Sequence, residues 1–312
     1  LIFPYIAMMV SFIFATRLIV DGIHTKGWFE VIKRISIYVG VLLITAWQCG
    51  FFLLGGSKID AEGYGVFSAN ALTFVDPGYP DNYRAPWSHV IPDQWQGPGQ
   101  YEGFSFVGAG ILLLAATVWI LKIVRGSRST RAILIAPVVC ISVLFGRFQD
   151  LTQLKLTILL GILVAIAFEN IWLYKSDRLM LKIAAALSFV LMTLFAFSNQ
   201  ILLGIFQITK FRLSPTLMTF ANIFRSSGRF AWPLMYVLIA LIIVALIGEL
   251  PKALITPILL VALAFQVIDS NNGTQFTTDA YSRAGPESYL TSQTWDLLGK
   301  KYDGVLFSPA AN

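Results

Sequence analysis

Charged side chains are scarce in this chain: Asp, Glu, Lys and Arg make up 13% of its 312 residues, whereas an ordinary soluble domain carries about 25%. Cysteine occurs only at positions 49 and 140, both within apolar segments, so the polar segments contain no disulfide framework. The only histidines, His24 and His89, fall on opposite sides of the membrane topology predicted below, which argues against a histidine-based metal site. The P-loop, the dinucleotide fingerprint and the HExxH, GxSxG and CxxC motifs are also missing from the sequence.

Long apolar runs dominate the chain instead. Hydrophobic residues make up 56% of the sequence, the mean hydropathy is +0.71, and a helix needs about 20 apolar residues to cross a bilayer. Because the backbone inside hydrocarbon must satisfy its own hydrogen bonds, these runs predict helices. The predicted fold class is an all-α membrane protein with about eight transmembrane helices. The eight segments are Leu1–Val20, Ile35–Gly56, Phe104–Ile123, Ala132–Gly146, Leu156–Tyr174, Ile183–Ile208, Ala231–Gly248 and Ala253–Ile268.

Lysine and arginine predict the orientation, because cytoplasmic loops carry an excess of both. One set of short loops holds 12 basic and 4 acidic residues in 40 positions, and the other set holds 11 basic and 12 acidic residues in 121 positions. The first set is therefore predicted to be cytoplasmic, which puts the long loop 57–103 outside. The predicted organisation is a transmembrane domain over residues 1–268, followed by an extracytoplasmic C-terminal segment, incomplete as a domain, over residues 269–312. Since this topology accounts for the net charge of +6, no nucleic-acid partner is predicted.

One predicted span is unusually long. Ile183–Ile208 has 26 residues, which is about 39 Å as a straight helix against a hydrocarbon core of about 30 Å. The polar run Ser198-Asn199-Gln200 interrupts it. A tilted helix with a polar outer end fits this pattern, and so does a broken helix that lines a cavity, as at transporter sites.

The run Phe224–Phe230 places two arginines directly before an apolar segment, where an uncompensated charge is costly. Arg225 and Arg229 are four residues apart, a spacing that puts them on one face of a helix. Ser227 and Gly228 allow a close backbone approach, or a nest of N–H groups that holds an anion. Three kinds of partner fit the arginines: lipid head groups, a substrate phosphate and an acidic side chain of the chain itself.

A second candidate lies at the end of the long loop, where Tyr101 and Glu102 precede the third apolar segment. Glu102 fits a capping residue, because the helix dipole stabilises a carboxylate at a helix N-terminus. It also fits a site at the membrane surface that binds a sugar hydroxyl, or a partner of Arg229. Asp93 lies in the same loop among several Tyr and Trp residues, and aromatic rings beside carboxylates suit sugars as well as a membrane surface.

Glu169 lies within the fifth apolar segment, and a carboxylate inside a membrane suggests a functional site by default. It is close to the predicted cytoplasmic end of that segment. An ion pair with Lys175 is therefore the simpler interpretation.

Several motifs together resemble an uncharacterised family of large bacterial membrane proteins that looks related to the GT-C glycosyltransferases. The resemblance extends from about Gly55 to Asp269. The motifs that carry it are Gly63-Tyr64-Gly65, Ser68-Ala69-Asn70, Asp76-Pro77, Gln100-Tyr101-Glu102-Gly103-Phe104 and the run from Phe224 to Trp232-Pro233.

This resemblance implies a multi-pass enzyme of the bacterial inner membrane that transfers a sugar, on the outer face, from a polyprenyl-phosphate donor to a glycan or other acceptor. The catalytic aspartate of GT-C enzymes typically lies in the first outer loop. Because the chain opens within an apolar run, it is interpreted as the C-terminal part of a longer protein, with that aspartate before it. No cofactor is predicted, and a divalent metal is left open. Arg225 and Arg229 are expected to stabilise the lipid phosphate, and Glu102 and Asp93 to contact the sugar or acceptor. Ser227 and Tyr101 complete the expected substrate-binding residues.

Two other functions also fit the sequence. A transporter or flippase for a lipid-linked or anionic substrate would use the interrupted span Ile183–Ile208 together with Glu169. A non-catalytic membrane scaffold would bind a partner through its outer domain.

Overall fold

The computed structural model of the chain describes residues 4–48, 63–78, 86–94, 97, 99–144, 151–173, 179–271, 273–275, 278, 282 and 293–302. A long helix overlaps each of the eight predicted apolar segments. These helices are α1 (Pro4–Thr25), α2 (Trp28–Gln48), α3 (Ala109–Arg125), α4 (Arg128–Leu144), α5 (Leu151–Leu173), α6 (Leu179–Phe197), α8 (Trp232–Glu249) and α9 (Lys252–Asp269). Two shorter helices are α7 (Pro215–Asn222) and α10 (Gln293–Lys301).

Within the described residues, five helical stretches are long and apolar enough to cross a membrane, and the chain is therefore an all-α membrane protein. Helices α3 and α4 have 17 residues each, which is about 26 Å and short of a hydrocarbon core of about 30 Å. Helix α2 carries Glu30, Lys33 and Arg34 in its first two turns. The count of eight crossings stays a prediction. The five stretches are Tyr5–Thr25, Leu151–Ile171, Leu179–Phe197, Ser227–Glu249 and Lys252–Asp269.

The prediction of one span over Ile183–Ile208 is wrong. Helix α6 ends at Phe197, and Ser198 adopts a left-handed backbone with φ 62°. An antiparallel hairpin follows, made of β1 (Gln200–Leu203) and β2 (Phe206–Lys210). Gly204 makes the turn with φ 58°, a conformation that favours glycine over residues with a Cβ. The polar run that interrupted the segment therefore marks the end of a helix and not a break within one.

The helices pack around α3, which contacts α4, α5, α8 and α9, while α1 contacts α2 and α6. The core is apolar and includes Leu112, Leu163, Met192 and Ile242. Polar contacts also link the helices: the hydroxyls of Thr16 in α1 and Ser188 in α6 are hydrogen-bonded to each other.

The chain divides into two compact units, residues 1–273 and 274–312. In the second unit α10 carries Lys300 and Lys301 in its last turn, where cations interact favourably with the helix dipole. The extracytoplasmic location of this unit stays a prediction.

Candidate functional site

Three parts of the chain that carry the sequence motifs meet at one end of helices α6 and α8. They are residues 63–78, 99–107 and 224–232, and together they are called the motif junction here. The backbone N–H of Gly228 donates to the carbonyl of Phe67 at 2.9 Å, and the N–H of Ala69 donates to the carbonyl of Ala196 at 2.8 Å. Thr73 Oγ1 donates to the carbonyl of Gly103 at 2.6 Å. The predicted long loop is therefore packed onto the helical domain through part of its length.

Gly228 is required at the centre of the motif junction because three backbones approach each other there. A Cβ on Gly228 would lie 2.5 Å from Gly103 Cα and 3.0 Å from Ala69 N. A Cβ on Gly103 would lie 2.6 Å from Ala69 Cα. These neighbours are backbone atoms, which cannot move aside as a flexible side chain can. The predicted close backbone approach at Gly228 is confirmed.

A buried polar network joins the motif junction to the hairpin. Asn70 is fully buried, and its side-chain amide donates to Gln100 Oε1 at 3.1 Å and to the carbonyl of Gly204 at 2.9 Å. Asn70 Oδ1 accepts the N–H groups of Leu72 at 3.1 Å and Gly204 at 2.8 Å. Asn70 thus uses all of its side-chain groups to hold the turn of the hairpin, a role that its sequence motif did not indicate.

Arg229 forms an ion pair with Glu102 across 127 positions of the chain. Arg229 Nη2 lies 2.6 Å and Nε 3.0 Å from Glu102 Oε2, so both hydrogen bonds reach the same carboxylate oxygen. The guanidinium also lies 5.2 Å from the ring centroid of Tyr5 and 5.8 Å from that of Trp232. The internal ion pair, one of three partners that the sequence allowed, is the one that the structure contains.

Glu102 does not cap helix α3, although the sequence allowed that role. It lies in a short 3₁₀ helix, Gln100–Gly103, and α3 begins later, with Gly108 as its N-cap. The extended stretch between the two lets the chain contact Phe74, whose carbonyl accepts the N–H of Val107 at 3.1 Å.

Arg225 differs from Arg229 because no carboxylate of the described residues lies within ion-pair distance of it. Its guanidinium stacks over the ring of Phe67 at 4.5 Å from the centroid. Tyr101 packs edge-on against the same ring with 6.1 Å between centroids, and it is exposed. Arg225 is also exposed. The arrangement presents a cation, a ring and a phenol hydroxyl at the surface.

The prediction that Arg225 and Arg229 share one face of a helix is wrong. Helix α7 ends at Asn222, Arg225 lies in the following bend, and Arg229 belongs to the 3₁₀ helix Ser227–Ala231. The predicted nest of free N–H groups is also wrong, since the N–H of Gly228 donates to Phe67 and that of Arg229 donates to the carbonyl of Ser226 at 3.2 Å.

Ser227 and Asp93 lie in different surroundings from these arginines. Ser227 is fully buried, with Oγ 3.5 Å from the carbonyl of Ala196, so its side chain faces the core. Asp93 is half-buried, and the loss of solvent raises the pKa of its carboxyl above the ordinary value of 3.8, while a backbone hydrogen bond lowers it by less. Neither residue makes a hydrogen bond or ion pair with Arg225 or Arg229 within the described residues.

Asp269 anchors the segment 86–94 to the end of α9. Its Oδ1 accepts the N–H groups of His89 at 2.9 Å and Val90 at 3.0 Å, and its side chain is 2% exposed. A polar residue directly after a long apolar segment is a weak sequence signal, and this role was not predicted.

Glu169 forms an ion pair at the opposite end of the helices. Lys122 Nζ lies 2.7 Å from Glu169 Oε2 and 3.6 Å from Glu249 Oε1, which joins α3 to α5 and α8. Arg125 donates to the backbone carbonyl of Glu249 at 2.6 Å. Lys122, Glu169 and Glu249 are called the Lys122 cluster below. The predicted partner, Lys175, lies outside the described residues; within them, Glu169 is paired with Lys122.

An apolar groove of about 270 Å³ lies between α5, α6 and α8. Leu234 and Leu238 of α8, Phe189 and Leu194 of α6 and Ile171 of α5 are among the residues that line it. These three helices are long enough to cross a membrane.

In the part of the chain that the structure describes, no group of three or more His, Cys, Asp and Glu side chains is arranged to hold a metal ion. No curated protein matches the chain. No solved structure matches it. The chain matches one family model, described as a domain of unknown function (DUF6311), over residues 1–150 and 156–271. The match covers most of the sequence and includes every segment of the motif junction, and the chain therefore belongs to the DUF6311 family.

Proposed function

We propose that the protein is a membrane glycosyltransferase of the GT-C type that uses a polyprenyl-phosphate-linked sugar. The observation that carries the proposal is Arg225, an exposed guanidinium without a carboxylate partner among the described residues, beside Tyr101 and the Arg229–Glu102 pair. A guanidinium fits phosphate oxygens through two parallel hydrogen bonds. A cation left open at the end of a membrane-spanning helix suits the phosphate of a lipid.

The proposed reaction needs a base and a cation. An acceptor hydroxyl attacks the anomeric carbon, its proton passes to a general base, and the bond from that carbon to the phosphate oxygen breaks. The polyprenyl phosphate leaves with the electron pair of that bond, and Arg225 stabilises its growing negative charge. Glu102 receives both bonds from Arg229 on Oε2, which leaves Oε1 to accept a sugar hydroxyl. The general base is not assigned to a described residue.

The apolar groove supports a lipid-linked substrate. Leu234 in the groove is five positions after Arg229, which is about 8 Å along a helix. A phosphate at Arg225 or Arg229 could thus continue into a hydrocarbon chain between α6 and α8. The proposed location is the bacterial inner membrane, with eight crossings and with the motif junction and the C-terminus outside.

The structure weakens the two observations that favoured a transporter. The interrupted span is a helix followed by a hairpin, and Glu169 is paired with Lys122. No contact among the described residues favours the scaffold hypothesis in particular. Glycosyl transfer is therefore the function proposed.

The first test measures binding of polyprenyl phosphate to the full-length protein in nanodiscs. Arg225→Ala is expected to weaken binding at least tenfold, about 1.4 kcal/mol, and Arg225→Lys should recover only part of the loss because an ammonium lacks the planar fork. Arg128→Ala serves as the matched control, since it removes an exposed arginine at the start of α4, outside the motif junction.

The second test follows the reaction. Release of polyprenyl phosphate from a lipid-linked sugar should require an acceptor and should fall in Arg225→Ala. Equal binding by wild type, Arg225→Ala and Arg128→Ala would contradict the proposed phosphate site. Binding at Arg225 without acceptor-dependent release would keep a lipid-phosphate site but reject the transferase.

A further inference from the structure

The segment that joins α6 to α8 has an unusual surface. Residues 198–231 contain four basic side chains and no acidic one. The segment includes the β1–β2 hairpin and α7, and both are described over their whole length. Six large apolar side chains along it are 46–56% exposed: Ile205, Ile208, Phe211, Leu217, Phe220 and Ile223.

These apolar side chains are not covered by the rest of the first unit. Four of the five residues of β2 are exposed, so the strand does not bury one face as a strand packed on a core does. In α7, Leu217 and Phe220 are three positions apart and lie on one side of the helix. Asn70 holds the turn of the hairpin from one side, whereas the exposed apolar side chains have no such contact within the described part of the first unit.

The position of the segment in the chain limits what that contact can be. Helix α6 ends at Phe197 and β1 begins at Gln200, while Ser227 begins the next candidate span. Both ends of the segment are thus fixed at the rim of membrane-spanning helices. The side chains that carry positive charge include Lys210 and Arg212, both exposed. A surface of exposed apolar side chains with basic neighbours is complementary to an anionic lipid surface.

We propose that the hairpin and α7 lie in the interfacial layer of the bilayer, with their apolar side chains inserted and their basic side chains on anionic head groups. The expected depth is about 5–10 Å from the head-group boundary. Lys210 and Arg212 contact lipid phosphates there, as basic residues near a membrane surface do. This inference is independent of the proposed glycosyl transfer, because it concerns the hairpin and α7, which contain neither Arg225 nor Arg229, and requires no substrate.

The test measures the depth of single labels in the full-length protein in vesicles of phosphatidylcholine and phosphatidylglycerol. Cys49 and Cys140 are first changed to Ser, and a cysteine is then introduced by Phe220→Cys or Leu217→Cys and labelled with an environment-sensitive fluorophore. Lipids brominated near the head group should quench both labels about twofold more than lipids brominated near the chain end.

Two matched variants calibrate the measurement, each replacing an exposed apolar residue. Val261→Cys in α9 should be quenched more by deep bromines, and Leu297→Cys in the polar helix α10 should be quenched by aqueous iodide. If the labels at 217 and 220 respond like Leu297→Cys, the interfacial placement is wrong. If both are protected from bromine and iodide together, a second copy or another protein covers the segment, which also overturns the proposal.

The role of the basic side chains in the proposed membrane contact is tested separately. Lys210→Gln combined with Arg212→Gln should reduce shallow quenching at position 220 roughly twofold in vesicles with phosphatidylglycerol and leave it unchanged in pure phosphatidylcholine. An equal effect in both lipids, or none in either, would overturn the role of anionic lipid.

Discussion

Two ion pairs join distant parts of the chain, and they differ in their exposure and in how many carboxylates lie near the cations. Lys122 and Glu169 are 12% and 9% exposed, and Glu249 adds a second carboxylate at 3.6 Å. Arg229 and Glu102 are 33% and 22% exposed, and Arg225 nearby has no carboxylate partner among the described residues.

The difference separates a structural cluster from a candidate binding site. The Lys122 cluster links three helices, and its cation already lies between two carboxylates. The motif junction contains two arginines and two carboxylates, but Asp76 is buried, Glu102 is paired with Arg229, and the junction is open to solvent at Arg225. An anion is therefore expected to bind at the motif junction and not at the Lys122 cluster.

The largest expected effect is at the Lys122 cluster. Lys122→Met leaves Glu169 and Glu249 without their cation, and breaking a buried pair in this way costs about 3 kcal/mol or more. Thermal unfolding in detergent should show the loss. The double variant Lys122→Met, Glu169→Gln should recover most of it, because no buried charge then remains at position 169. A loss below about 1 kcal/mol in the single variant would contradict the structural role.

Gly228→Ala should have the next largest effect. Its Cβ would collide with the backbones of Gly103 and Ala69, and overpacking of this kind costs about 1–3 kcal/mol. Gly248→Ala is the matched control, since nothing lies within 4 Å of its Cβ. In a helix this second change should stabilise the protein by about 0.5–1 kcal/mol. Equal effects of the two alanines would show that the motif junction is not closely packed.

Glu102→Gln tests the other ion pair. Because Arg229 and Glu102 are partly exposed, their coupling should be about 1 kcal/mol or less, smaller than that of Lys122 and Glu169. A double-mutant cycle with Arg229→Gln, read by unfolding, measures this coupling directly. A coupling above that of the Lys122–Glu169 pair would reverse the comparison between the two clusters.

The smallest effect is the pH dependence at Asp93. Its pKa is raised above 3.8 in the folded protein, so between 3.8 and the folded value the folded state binds more protons than the unfolded state. Stability should therefore fall as pH rises through this range. Asp93→Asn should unfold at a slightly higher temperature than wild type near neutral pH, and the difference should vanish below pH 3.8. A difference that grows on acidification would show the opposite shift.

The sequence predicted the helices well because apolar length is a local property. Each of the eight predicted segments contains a long helix, and the errors lie where apolar residues serve another structure. Ile201 and Ile208 were assigned to a span, but they belong to a hairpin whose turn depends on Gly204. A single Gly between two apolar runs was a signal for that turn.

Pairing was harder to predict because it depends on how the helices pack. The sequence did not indicate the ion pair of Glu169 with Lys122, because 47 positions separate the two residues. Glu102 and Arg229 were each singled out, and their pairing was one of several alternatives. Asn70 and Phe67 could not be assigned roles, since the first contacts the hairpin and the second contacts Arg225, both more than 100 positions away.

The three-backbone contact at Gly228 also sets an order of assembly. Ala69 and Gly103 are synthesised more than 120 positions before Gly228, and until that residue reaches the same side of the membrane their packing surface has no partner. The motif junction can therefore close only after α6 and the hairpin have been inserted. During synthesis, Ala69 and Gly103 therefore stay without this backbone contact until Gly228 has been made and positioned beside them.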